Sequence, residues 1–217
     1  MTEVVVAPEA PTVFVVDDDP AVRKSLRWLM ESVGLKVQTF GSAAEFLATY
    51  NPERPGCVVL DVRMPGMSGL ELQEQLHERG NRLPVIIVTA YGDVPMAVRT
   101  MKSGAVHFFE KPVSDQVLLD QIQRALAQDL ARRQLETQNH HLEKRFSRLT
   151  KREIEVLECV IAGMSSREIG LKLGVSYKTV EAHRAKIMRR MEASSVADLM
   201  RIYYSINADV NRAAPKG

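Results

Sequence analysis

The sequence predicts two folded parts: an α/β domain built on a five-stranded parallel, doubly wound sheet, and a small all-α domain reached through a long helical linker. Three observations carry this. Short β-branched runs alternate with amphipathic helical stretches over residues 12–126, the pattern of repeated βα units. No Pro or Gly interrupts the chain between residues 113 and 161, so a helix begun there has no reason to stop. Beyond Leu149, hydroxyl residues precede apolar-periodic segments, as helix caps do.

In chain order, residues 1–11, with their Ala and Pro, read as a mobile tail without the basic and apolar regions of a signal peptide. Residues 13–16 form a first strand that ends at Asp17 and Asp18. Pro20 opens a helix where its missing N–H does no harm, Val22, Leu26, Leu29 and Val33 make the apolar stripe, and Gly34 closes it. A second strand, 36–40, precedes a Ser42-capped helix through Phe46 and Leu47. The third strand, 57–60, ends at Asp61 and is followed by a helix over 68–78 that carries Leu70, Leu72 and Leu76, with Gly80 as its stop. The fourth, 85–88, ends at Thr89, and the next helix, 93–102, carries Val94, Ala97, Val98 and Met101. The fifth, 106–109, ends at Glu110, Lys111 and Pro112, and Ser114 begins the last helix of the domain. The runs 13–16, 57–60, 85–88 and, apart from His107, 106–109 are apolar and read as strands buried on both faces.

The linker spans residues 127–146. Leu119, Leu126, Leu135, Leu142 and Leu149 fall largely on heptad spacing with one break. That pattern fits either a coiled-coil seam or a helix packed on its own domain. Residues 147–207 form the second domain, with a helix capped by Thr150 and Glu153, a short helix capped by Ser165 or Ser166, a turn at Gly174, and a longer basic helix after Ser176. A further helix starts near Ser195 and carries Leu199, Ile202 and Tyr203, either as a dimer contact or as core; residues 208–217 read as a tail.

Charge follows the same division. From Lys144 onward there are 15 Lys and Arg against 8 Asp and Glu, whereas the preceding residues carry 14 against 19. Such asymmetry fits an acidic regulatory module tied to a nucleic-acid binder, although charge alone fits an ordinary solvated surface equally well. Cys57 and Cys159 sit inside apolar patterns and read as reduced core residues of a cytoplasmic protein. No apolar stretch has the length of a transmembrane helix.

In open α/β sheets the ligand site lies at the carboxyl ends of the strands. The strand ends here bring Asp17, Asp18, Asp61, Thr89 and Lys111 toward one volume. Carboxylates so placed suit Mg²⁺, and an Asp can itself be the nucleophile in phosphoryl transfer. Lys111 would neutralise one oxygen of the transferring group and Thr89 would donate to another. Arg63 stands where a haloacid-dehalogenase-type phosphatase needs a second acid, and no Walker-type loop, dinucleotide fingerprint or zinc spacing is present.

Asp17, Asp18, Asp61 with Met64 to Gly69, Thr89 with Ala90, and Lys111 with Pro112 together resemble the receiver domain of bacterial two-component response regulators, a domain of flavodoxin-like fold. The resemblance implies Asp61 as phosphoacceptor, Mg²⁺ held by Asp18, Asp61 and the Arg63 carbonyl with Asp17 nearby, and a cis bond between Lys111 and Pro112. It also implies a switch in which Thr89 turns toward the phosphoryl group and Phe108 moves inward; from its residues alone, Phe108 reads as core. Arg63 and Tyr91 stand where the family tunes phosphoryl lifetime.

Residues 149–157, 163–169 and 175–183 resemble the LuxR-type helix-turn-helix, and the combination resembles the FixJ/NarL family, in its FixJ-like branch. This implies DNA contacts from Lys178, Thr179, Glu181, Ala182, His183, Arg184, Lys186 and Arg189, with Glu181, Ala182 and Ala185 toward base edges. Each basic residue fits a solvated surface charge as well. The expected function is a phosphorylation-switched, sequence-specific transcription activator. Its implied partners are a sensor histidine kinase, promoter DNA, RNA polymerase and a second copy of the chain, with no membrane. It would have no enzymatic activity beyond its own phosphorylation and dephosphorylation. A constitutive DNA binder with a scaffold receiver, and an enzyme acting on an external substrate, are the competing classes.

Overall fold

The computed structural model describes residues 10–213, with side chains to 206. Residues 1–9 and 214–217, expected to be tail, lie outside the described residues. The chain divides into two units, one ending at Arg133 and the other beginning at Gln134.

In the first unit, β1 (Thr12–Val16), β2 (Lys36–Phe40), β3 (Gly56–Leu60), β4 (Val85–Thr89) and β5 (His107–Glu110) alternate with α1 (Pro20–Ser32), α2 (Ala43–Thr49), α3 (Gly69–Glu78) and α4 (Val94–Lys102), and α5 (Asp115–Phe146) follows. The sheet is parallel in the order β2-β1-β3-β4-β5. Alternation along the strands separates two cores. Phe14, Val58, Leu60 and Ile87 face α2 and α3, while Val13, Val15, Val59 and Ile86 face α1 and the first half of α5.

β1, β3 and β4 are buried throughout. β5 is not: it lies at the sheet edge, half-buried, so reading residues 106–109 as covered on both faces is corrected by its position in the strand order. On α1, Met30 is fully buried whereas Val33 is exposed and caps the helix. On α4 the apolar residues also face outward. Val94 is 77% exposed and Val98 and Met101 are nearly half exposed, while Thr100 is the buried residue.

α5 is continuous through the division between the units. Leu119 and Leu126 belong to the first core, Leu135 is exposed, and Leu142 and Leu149 pack into the core of the second unit. The heptad leucines thus serve different interiors rather than one seam. The first unit extends beyond residue 126 because Asp129, fully buried, accepts hydrogen bonds from the Gly56 N–H (3.0 Å) and Arg133 Nε (2.7 Å) and pairs with Arg132. Arg133 also donates to the carbonyls of Pro52, Glu53 and Arg54 at 2.9, 3.0 and 3.1 Å. Nothing in the sequence marks Asp129 out from a solvated helix acid.

The second unit contains α6 (Lys151–Ile161), α7 (Ser166–Leu173), α8 (Tyr177–Met191) and α9 (Val196–Ala213). Part of the stretch from residue 208 is therefore helical backbone. Capping boxes start α6 at Thr150 and α7 at Ser165, and Ser176 caps α8. Gly174 ends α7 with φ +66°, a left-handed conformation that Gly adopts without penalty and that turns the chain into α8. Val156, Leu157, Ile169, Val180, Ile187, Leu199 and Ile202 share one core. Cys57 and Cys159 are both buried free thiols.

Candidate functional site

Three strand ends build the polar centre of the first unit. Asp17 follows β1, Asp61 follows β3 and Lys111 follows β5. Lys111 Nζ donates to Asp17 Oδ2 at 2.8 Å and to Asp61 Oδ1 at 3.3 Å. Asp17 and Asp61 are 4% and 8% exposed, so the ammonium sits between two carboxylates largely withdrawn from water. The remaining oxygens are also engaged. Asp17 Oδ1 accepts from the Asp19 N–H at 2.9 Å, and Asp61 Oδ2 from the Arg63 N–H at 2.8 Å.

These surroundings shift the charges in opposed ways. Burial pushes the Asp61 carboxyl above the usual carboxylate range, Lys111 pulls it back, and Asp17 adds to the push. For Lys111, burial works against the charge, but hydrogen bonding and attraction to Asp17 and Asp61 outweigh it, so the ammonium is held above its ordinary value. The site therefore keeps a charged lysine beside two buried carboxylates, a setting in which the cation can also meet a group with negative oxygens.

Backbone packing explains the motif after Asp61. Gly69, the first residue of α3, lies so close to the Asp61 carbonyl that a Cβ there would come within 2.1 Å of it. Its N–H donates to the Val62 carbonyl at 2.9 Å. Ser68 caps the helix with Glu71 in a reciprocal box. Any side chain at position 69 would displace the loop that carries the acceptor.

The other predicted residues stand around this centre. Thr89 is fully buried at the end of β4, its hydroxyl accepting from the Tyr91 N–H at 3.4 Å. Phe108 is half-buried on β5, with its ring against Gly92 in the loop after β4. The Lys111–Pro112 peptide is cis. The Arg63 guanidinium lies over the Tyr91 ring at 4.2 Å, a contact that sequence reasoning did not anticipate. Asp18 is exposed at the rim and does not join the buried pair.

Among the described residues no group of three or more His, Cys, Asp or Glu is placed to hold a metal ion by itself. Asp17 and Asp61, bridged by Lys111, offer hard oxygen donors of the kind Mg²⁺ takes together with water and phosphate oxygens.

In the second unit the candidate interface is one face of α8. Val180, Ile187 and Met191 anchor it in the core. Lys178, Ala182, Ala185, Lys186 and Arg189 are exposed, and Thr179 and Glu181 are exposed beside them. At 3.6 residues per turn, Lys178, Ala182, Ala185 and Arg189 fall on one line opposite the core. Two alanines between cations make a face whose backbone could approach a groove with cations at both ends for phosphates. His183 and Arg184 are half-buried toward the core, and His183 Nδ1 is buried without a partner. Arg190, half-exposed, pairs with buried Glu153, which also accepts from the Thr150 N–H and hydroxyl at 2.8 and 2.9 Å. Burial opposes the Glu153 charge, but Thr150 and Arg190 hold its carboxyl below the usual range.

Comparison with known proteins agrees with both halves. Residues 13–123 match the response regulator receiver domain family, and residues 147–203 match the luxR family of bacterial regulatory proteins. The chain is 49% identical over 193 residues to the transcriptional regulatory protein TdiR of Thauera aromatica, covering 88% of this chain and 84% of that one. It is 44% identical over 195 residues to the transcriptional regulatory protein FixJ of Azorhizobium caulinodans, covering 90% and 92%. Among solved structures, the response regulator StyR is similar with a TM-score of 0.85 at 46% identity, covering 90% of this chain and 99% of that one. Full-length FixJ from B. japonicum gives 0.55 at 36%, covering 93% and 99%. Among the described residues no helix is long and apolar enough to cross a membrane. A receiver site built from Asp17, Asp61 and Lys111, and a helix-turn-helix presenting α8, therefore belong to one chain of the two-component response regulators, a transcription factor with a phosphorylatable receiver and a LuxR-type DNA-binding domain.

Proposed function

We propose that this protein is a cytoplasmic transcription activator switched by phosphorylation of Asp61, and that the observation carrying this is the Lys111 ammonium bridging Asp17 and Asp61 in a nearly dry site. A sensor histidine kinase is the donor. An Asp61 carboxylate oxygen bonds to phosphorus as the bond from phosphorus to the donor imidazole nitrogen breaks, and the electron pair leaves with the imidazole. Lys111 stays protonated and moves its hydrogen bonds toward the incoming oxygens, relieving two carboxylates of a shared cation. Asp17, Asp18, Asp61 and the Arg63 carbonyl are the groups that would hold Mg²⁺, which would offset charge on the transferring group. Thr89 turns its hydroxyl from the Tyr91 N–H toward the new phosphoryl group, and Phe108 follows into the vacated space.

The outward apolar face of α4 supports pairing with a second copy. Val94, Val98 and Met101 form one stripe at helical spacing and are exposed, and such a stripe on a regulator suits a contact made only in one state. Pairing two chains places two α8 helices on neighbouring half-sites and raises their joint affinity for promoter DNA. RNA polymerase is then recruited at that promoter. The receiver turns over no substrate other than its own phosphoryl group.

The test is to treat the protein with Mg²⁺ and acetyl phosphate and record intact mass and sedimentation beside Asp61→Asn. One phosphoryl adduct with dimer formation, both lost in Asp61→Asn, supports the reading. An adduct retained in the variant, or dimers unaffected by phosphorylation, would contradict it.

A further inference from the structure

Glu181 lies on the exposed side of α8, yet its carboxylate is not free. Its Oε1 accepts a hydrogen bond from the Ser166 hydroxyl. Ser166 is the first residue of α7 and only 8% exposed, and its hydroxyl has Glu181 as its acceptor. The contact spans the two helices of the helix-turn-helix and sets the carboxylate at the N-terminal end of α7, where the helix dipole favours a negative charge. The other oxygen, Oε2, takes no hydrogen bond or ion pair among the described residues. Glu181 adjoins Ala182 on the exposed side of the helix, between the cations Lys178 and Lys186.

A carboxylate carried toward DNA is repelled by phosphates and earns its place only if a base donates to it. In the major groove cytosine offers a lone amino donor, adenine an amino donor beside an acceptor, and guanine and thymine only acceptors. A mobile Glu could swing away from a wrong base; one held in place would clash electrostatically with it. We propose that Ser166 is a positioning residue for sequence readout. It pins Glu181 so that Oε2 is a fixed acceptor selecting cytosine, and rejecting guanine and thymine, at one position of each half-site. The proposal rests on α8 being the helix that enters the groove, and goes beyond that reading by placing part of the specificity on α7.

The experiment is selection from a pool of random duplexes by the acetyl phosphate-treated full chain, followed by sequencing of the bound fraction. Wild type, Ser166→Ala, Ser166→Thr, Glu181→Ala and the double variant are compared, with thermal melting of each. Ser166→Cys, which keeps volume but donates weakly, gives a second removal if Ser166→Ala melts early. Wild type is expected to enrich cytosine at one position per half-site, and Glu181→Ala to lose about tenfold of that preference. Ser166→Ala should lose several-fold at the same position and nowhere else, Ser166→Thr should keep it, and the double variant should match Glu181→Ala. A folded Ser166→Ala with wild-type preference, or a loss spread evenly over all positions, would overturn the proposal. Failure of wild type to enrich any sequence would overturn the DNA-reading role of α8 itself.

Discussion

The receiver centre and the recognition helix arrange charge in opposite ways. Asp17, Asp61 and Lys111 come from three strand ends and meet with both carboxylates almost out of water, while Lys178, Lys186 and Arg189 come from one helix and stand in it. The first arrangement makes each member depend on the others, because an unpaired buried charge is expensive. The second makes the members nearly independent, since exposed charges are screened and add their effects on a polyanion. A switch needs the first kind of site and a graded electrostatic clamp the second.

The largest effect should come from breaking the buried trio. Lys111→Met leaves Asp17 and Asp61 facing each other and is expected to destabilise the protein by about 3–5 kcal/mol in metal-free buffer, by urea unfolding. Added Mg²⁺ should recover part of this by binding the folded state. Unchanged stability would mean that the site is wetter than its geometry indicates. Next is the clamp at the end of the first unit. Arg133→Ala strips a donor from fully buried Asp129 and from three carbonyls, and should lower stability by about 2 kcal/mol.

Asp61→Asn acts in the other direction. The folded carboxyl is raised above its unfolded value, so its contribution to stability is full below the unfolded pKa and is lost as pH rises through the folded pKa. At neutral pH the ionised Asp61 is thus a liability that Asn removes. The variant should melt higher than wild type in metal-free buffer at pH 7, and the gap should close below about pH 4. A variant less stable at pH 7 would contradict the burial argument. Smallest and most uniform are the effects on α8. Replacing Lys178, Lys186 or Arg189 by Ala should each reduce the slope of log affinity against log salt by about 0.9, without changing sequence preference. Strong non-additivity among the three would break the contrast between the two regions.

The same contrast governs what could be read from the sequence. Asp17, Asp61, Thr89 and Lys111 were legible because apolar runs fix where strands end, and parallel strands end on one side. The parallel sheet and the capping box at Thr150 followed from similar local rules, whereas the strand order and the second box, at Ser165, came from the structure. Periodicity finds a stripe but not what covers it: Val94, Val98 and Met101 look like core and are exposed, and Met30 is the buried residue of α1. Asp129 was invisible because its partners, Gly56 and residues 52–54, lie far away in sequence. His183 and Arg184 look like equals of Lys186, yet helix rotation turns them toward the core.

The proposed switch requires coupling between the two regions. Its most direct test measures binding of the full chain to a duplex selected by the phosphorylated protein, with and without acetyl phosphate, for wild type and Asp61→Asn. Wild type should bind about tenfold or more tightly when phosphorylated, with Asp61→Asn held at the unphosphorylated level in both conditions. Equal affinity in all four cases would show that the receiver does not control the DNA-binding domain.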